Sequence, residues 1–197
     1  MDIKQNKILY ERVNAVREFR LSSSAKTTIG YAKVPHSFAQ VTQPEGVPCL
    51  LIPSVSSEKR KYVPIGFIVP GVVASNAVQI VPKASLYHFG VITSNVHMSW
   101  MRTVCGRLEM RYRYSKEVVY NTFPWPTPND AQKAKIENTA QAILDARNLY
   151  PDCSFADLYE TKDEWMYPEL IKAHQENDKA VMEAYGFNPR MAEAEIV

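Results

Sequence analysis

Apolar positions recur at helical spacing over residues 6–20, where Ile8, Leu9, Val13, Val16 and Phe19 leave Arg12, Arg17 and Arg20 on the other faces. That spacing predicts an amphipathic helix, ended by Ser22, Ser23 and Ser24. From Ile29 to Leu86 the texture changes to short β-branched and aromatic runs broken by proline or glycine. These predict strands at Cys49–Ile52, Val63–Val69, Val78–Val81 and Leu86–Phe89, with turns near Pro44–Gly46, Pro70–Gly71 and Pro82–Lys83. Ser94 is placed to cap a helix running to about Arg107, with Val96, Trp100, Met101, Val104 and Leu108 on one face. The aromatic-rich stretch Tyr112–Phe123 reads as extended.

The cluster Pro124-Trp125-Pro126-Thr127-Pro128 continues neither a helix nor a central strand, so it marks a boundary between residues 1–127 and 128–197. Beyond it the pattern is helical. Asn129 caps a helix to about Leu149, with Gln132 completing a capping-box-like start. A short helix covers Ser154 to Tyr159. A third starts at Pro168, sets Leu170, Ile171, His174, Val181 and Tyr185 on one face, and ends at Gly186. The fold class expected is α+β: a small β-rich domain with flanking helices, then an all-α C-terminal helical domain.

Hydrophobic residues make up 46% of the 197 and aromatics 11%, enough for a packed core and too many for a disordered tail. No run approaches the ~18–20 apolar residues of a membrane span, and the first residues lack the apolar core of a secretory signal. Cys49, Cys105 and Cys153 are odd in number and lack CxxC spacing. They point to a reducing cytoplasm, without a disulfide framework or cysteine zinc site. The formal net charge of +2 conceals a division. Residues 1–127 hold 16 Lys/Arg against 7 Asp/Glu, and residues 128–197 hold 7 against 14. A net +9 beside a net −7 implies two modules, the first facing a polyanion.

Seven scattered glycines form neither GxGxxG nor a P-loop, so no nucleotide cradle is encoded. His36, His88, His97 and His174 lack metal-ligand spacing, and no metal site is expected. Pro151-Asp152 followed by Glu160-Thr161-Lys162 spells a PD…(D/E)xK nuclease signature. That chemistry gathers its acids on strands to hold a metal, whereas this segment patterns as helix in the acidic part. It reads as a helix start and end.

The cations are local: Lys59-Arg60-Lys61 in an expected hairpin, then Arg102, Arg107, Arg111 and Arg113 among Trp100, Tyr112 and Tyr114. Arginine suits phosphate clamping and bidentate contact with guanine, and aromatics stack. In an extended Glu109-Met110-Arg111-Tyr112-Arg113, alternation sets Glu109, Arg111 and Arg113 on one side and Met110 and Tyr112 on the other. Glu109 then either accepts from a base, most naturally cytosine N4, or pairs internally with arginine. A protein–protein interaction scaffold that docks a basic partner on its acidic helices is the competing function.

Long motifs in order carry a family resemblance: Ile65-Gly66-Phe67, Leu86-Tyr87-His88-Phe89-Gly90-Val91, Ser94 through Arg102, Tyr120-Asn121-Thr122-Phe123-Pro124-Trp125-Pro126, then Leu158-Tyr159, Pro168-Glu169-Leu170 and Lys172-Ala173-His174. The chain resembles the target recognition domain and C-terminal helical domain of MmeI-like type II restriction–modification enzymes, which are adenine-N6 DNA methyltransferases. The resemblance implies double-stranded DNA and a parent methyltransferase domain as partners. It places S-adenosylmethionine in that parent domain, with no cofactor and no catalytic residue in this chain. The base-reading positions it implies are Asn76, Ala77, Glu109, Met110, Arg111 and Arg113. The phosphate contacts it implies are Lys59, Arg60, Lys61, Arg102 and Arg107.

Overall fold

The computed structural model describes residues 5–39, 41–68 and 71–197. The ends of the expected Val63–Val69 strand and Pro70–Gly71 turn, Val69 and Pro70, lie outside the described residues, as does the start of the chain. The chain divides into a unit ending at Pro44 and a second unit, Glu45–Val197.

In the first unit, α1 (Lys7–Leu21) starts at Asn6, whose side chain accepts from the Leu9 N–H at 3.2 Å. It is followed by α2 (Lys26–Gly30) and a 3-10 turn at Tyr31–Lys33. The Arg20 guanidinium closes the unit by donating to the carbonyls of Tyr31, Val34 and Ser37 at 2.8, 3.0 and 2.8 Å. The apolar face of α1 is not buried: Ile8 is 67% exposed and Phe19 75%.

The second unit holds two three-stranded antiparallel sheets. In the first, β1 (Cys49–Pro53) lies between β3 (Gly66–Ile68) and β4 (Val78–Pro82), in register Leu50↔Phe67 and Leu50↔Val81. In the second, β6 (Arg111–Arg113) lies between β2 (Val55–Ser56) and β5 (Gly106–Leu108). Between β4 and β5 run α3 (Leu86–Thr93) and α4 (Asn95–Val104); after β6 comes a π-helical turn at Lys116–Tyr120. Then follow α5 (Asp130–Asn148), α6 (Phe155–Leu158), a 3-10 segment at Thr161–Met166, α7 (Pro168–Tyr185) and α8 (Glu193–Ile196). The α+β class and the helical C-terminal region are as the pattern predicts.

Four local expectations change. Leu86–Phe89 opens a helix: His88 Nδ1 accepts from the Ser85 N–H at 3.1 Å, and Phe89 through Thr93 are all buried. A helix buried on every side is apolar all round and shows no 3.6-residue period, so it reads as a strand. The Ser94 helix stops at Val104, because Cys105 is already extended and leads into β5. Within Tyr112–Phe123 only the start is strand, since Ser115 caps the π-helical turn by accepting from Val118 N–H at 3.4 Å. Lys59-Arg60-Lys61 is not in a hairpin, because β2 and β3 on either side of it belong to different sheets.

The helical ends behave as their residues dictate. Asn129 and Gln132 exchange side-chain-to-backbone hydrogen bonds at 2.9 and 3.0 Å at the start of α5. Pro168 occupies the first turn of α7, and Gly186 ends it at φ 72°, where glycine carries no Cβ penalty. One hydrophobic core runs through both parts of this unit, joining Leu50, Ile52 and Ile65 to Phe89, Ile92 and Met101, and these to Ile143, Leu158 and Leu170. At Gly90, a Cβ would stand 2.7 Å from Ile136 and 3.1 Å from Ala140, so α3 and α5 touch where only hydrogen fits.

Buried polar groups stitch the same seam. Arg147, 6% exposed, donates to the Ile65 carbonyl at 2.8 Å and to Tyr159 Oη at 2.9 Å. Tyr159 Oη lies 2.8 Å from His174 Nε2; having accepted from Arg147, it gives its own proton to His174. His174 stacks on Tyr62 at 4.1 Å, and Tyr62 donates to Asp178 at 2.6 Å. The other Asp178 oxygen accepts from the Asn95 N–H at 2.8 Å, at the start of α4.

Acid should unfold this unit through its histidines. Burial lowers His97 to a pKa of about 3 and holds His174 well below the usual range, so both gain protons on unfolding below pH 6.5. Burial raises Asp178 to about 6, which opposes this: between pH 3.8 and 6 the folded state holds the extra proton. The two histidines outweigh the one carboxyl among these buried groups, so they make unfolding easier as pH drops from 6 to 4. In urea titrations across that window, His97→Gln should flatten the slope and Asp178→Asn steepen it.

Candidate nucleic-acid interface

β5 and β6 form a two-residue hairpin with register Gly106↔Arg113, Arg107↔Tyr112 and Leu108↔Arg111, leaving Glu109 and Met110 at its tip. Alternation along β6 turns Tyr112 inward, where it is buried, and leaves Arg111 and Arg113 exposed on the other face. Gly106, opposite Arg113, contributes no side chain to that outer face. Arg107 sits across from Tyr112 and lays its guanidinium 3.9 Å from the ring centroid, so it covers the ring with a cation–π contact. Met110 does not join Tyr112 on the inner side. Strand pairing stops at Leu108↔Arg111, alternation stops with it, and Met110 stands 70% exposed at the tip.

Glu109 takes φ 57°, a left-handed conformation that hairpin tips usually give to glycine or asparagine. Its carboxylate lies 2.8 Å from Arg111 Nη2. Of the two roles open to Glu109, the isolated chain shows the internal pair. That pair is exposed, and such pairs contribute little to stability.

The second candidate segment, Asn76–Ala77, is an exposed turn entering β4. It is tied to the hairpin's strand through one residue. Ser54 N–H donates to the Ala77 carbonyl at 2.9 Å, and the Tyr114 N–H donates to the Ser54 carbonyl at 2.9 Å. The structure therefore brings Asn76, Ala77, Arg111 and Arg113 onto one continuous hydrogen-bonded ribbon. Ser54 is absent from the residues singled out by sequence chemistry. Its one signal is the Pro53-Ser54 break in an otherwise apolar run.

Lys59 and Lys61 are exposed on the turn after β2, and Lys61 Nζ lies 5.4 Å from the centroid of the Tyr62 ring. Arg60 is half-buried there. Arg102, an expected phosphate contact, has partners within the chain. Its guanidinium donates to Glu193 at 2.7 Å and to the Lys61 carbonyl, so its charge is matched inside the molecule. The nuclease-like signature is likewise not assembled: Asp152 lies in a turn and Glu160 just after α6. Among the described residues no three His, Cys, Asp or Glu side chains gather as a metal would need, and no helix is long and apolar enough to cross a membrane.

A basic two-stranded arm thus projects from a small β unit that shares its core with a helical part. The chain belongs to the MmeI family: residues 1–127 match the family described as MmeI, target recognition domain, and residues 128–197 that described as MmeI, C-terminal domain. It is similar to the solved structure of the type IIL restriction–modification enzyme MmeI in complex with DNA. That similarity has 47% identity and a TM-score of 0.92, over 98% of this chain and 26% of that one. It is also 35% identical over 183 residues to DNA methyltransferase A of Bacillus subtilis (strain 168), covering 93% of this chain and 20% of that protein. The chain thus spans about a quarter and a fifth of the length of these two relatives.

Glu109→Gly should relieve the left-handed backbone at the tip at the cost of a weak exposed pair. Stability should rise by about 1 kcal/mol, read as a thermal midpoint a few degrees higher; an unchanged or lower midpoint would contradict the strain.

Proposed function

We propose that this chain reads duplex DNA for an adenine-N6 methyltransferase of a restriction–modification system. The observation that carries the reading is the exposed hairpin Gly106–Arg113, set in a chain of the MmeI family. Glu109 and Arg111 together suit a C·G pair, the carboxylate accepting from cytosine N4 and the guanidinium donating to guanine O6 and N7. Their mutual pair in the free chain holds both groups near the hairpin tip, and each exchanges its partner for a base edge on binding. Arg113 extends the same face. Asn76 has the donor and acceptor to read adenine, with Ala77 beside it; Met110 offers apolar contact only.

Lys59, Arg60, Lys61 and Arg107 supply phosphate contacts, which add affinity without sequence information. Arg102 is left out of that set because Glu193 already matches it. The parent's catalytic part flips the target adenine and holds S-adenosylmethionine; this chain positions the duplex and carries no chemical step.

Binding to duplex DNA should weaken steeply with salt, with a slope of roughly −0.9 per phosphate contact. Arg111→Ala should cost about 1–3 kcal/mol on the preferred duplex and relax choice at one base pair. Equal loss on every duplex would make Arg111 a phosphate contact, and no binding at low salt would favour the protein-interaction scaffold.

A further inference from the structure

In a regular antiparallel ladder a hydrogen-bonded residue exchanges its N–H and C=O with one opposite residue. Ser54 does not. Its N–H goes to the Ala77 carbonyl and its C=O receives the Tyr114 N–H, both at 2.9 Å. The ladder of the first sheet ends beside it at Pro53↔Val78, and that of the second begins at Val55↔Arg113. One neighbour adjoins Asn76 and the other adjoins Arg113, so a rotation at Ser54 would swing the two reading segments against each other.

A third bond crosses the joint. Gln79 Nε2 donates to Ser54 Oγ at 3.1 Å. Gln79 stands on β4 opposite Ile52, so this contact fixes the Ser54 side chain to the first sheet and restrains the rotation by which Ser54 passes from one ladder to the other. The two backbone bonds survive most substitutions. The side-chain bond is the removable part of the joint.

We propose that Ser54 and Gln79 are positioning residues that fix the spacing between the Asn76–Ala77 turn and the Glu109–Arg113 hairpin, and hence which base pairs can be read together. The proposal rests on the DNA-reading function above. Neither residue reads a base itself. Their effect is on discrimination, and phosphate affinity is untouched.

The test compares the whole chain with its Ser54→Ala, Gln79→Met and Ser54→Thr variants, by equilibrium binding to a randomised duplex pool and to the duplex the wild type selects. Ser54→Ala and Gln79→Met should each lower the ratio of selected-duplex to random-duplex affinity by about five-fold, the worth of one hydrogen bond. Random-duplex affinity and thermal midpoint should hold, and Ser54→Thr, which keeps the hydroxyl, should keep the ratio. An unchanged ratio in both Ser54→Ala and Gln79→Met overturns the proposal, as does an equal loss on selected and random duplexes. Should Ser54→Ala fail to fold, Gln79→Met alone decides. A wild-type chain without any sequence preference overturns the DNA-reading function and this inference with it.

Discussion

Arg147 carries a positive charge into the interior of the second unit, and the packing around it is arranged to accept that charge. An uncompensated buried ion costs several kcal/mol. Here the guanidinium donates to the Ile65 carbonyl and Tyr159 Oη, and lies 4.8–5.3 Å from the ring centroids of Phe89, Phe155 and Tyr159. Ile65 precedes β3, Phe89 belongs to α3, and Tyr159 reaches His174 on α7. The β-rich part and the C-terminal helices therefore share one electrostatic requirement. Gly66 follows from it: a Cβ there would meet the Phe155 ring at 2.8 Å, the ring that covers Arg147.

The charge division along the chain acquires a different meaning once these pairs are known. Part of the basic surplus before Pro128 and part of the acidic surplus after it are spent on each other or buried, as Arg102 with Glu193 and the buried Asp178 show. Arg107, Arg111 and Arg113 on the β5–β6 arm and Lys59 and Lys61 on the turn after β2 stay exposed, as do Arg12 and Arg17 of α1. A net charge counts every ionised group equally, whereas a partner meets only those left at the surface.

How far the molecule could be read from its residues follows from which signals are local. Asn129 with Gln132, Ser94, and Pro168 with Gly186 mark helix ends through contacts a few residues apart, and all three helices start as expected. α3 was hidden because burial on all sides removes the periodicity that announces a helix. At the candidate interface, alternation placed Arg111, Tyr112 and Arg113 on the correct faces, since that depends only on strand geometry. The tip position of Met110 and the Glu193 partner of Arg102 have no local signal, because one depends on where pairing stops and the other on a carboxylate 91 residues away. Ser54 carries no local signal for the same reason: its three partners, Ala77, Gln79 and Tyr114, are distant in sequence.

Gly90 has a mechanical consequence. With α3 seated on α5 at a separation that admits no methyl group, those helices have no room to slide, and the shared core and the Arg147 network brace the strands beside them. The β5–β6 arm is thus mounted on a stiff base. Above that base the arm ends in exposed side chains such as Arg111 and Arg113, free to adapt where the packed helices are not. A stiff surface that meets a deformable partner leaves the work of fitting to the partner.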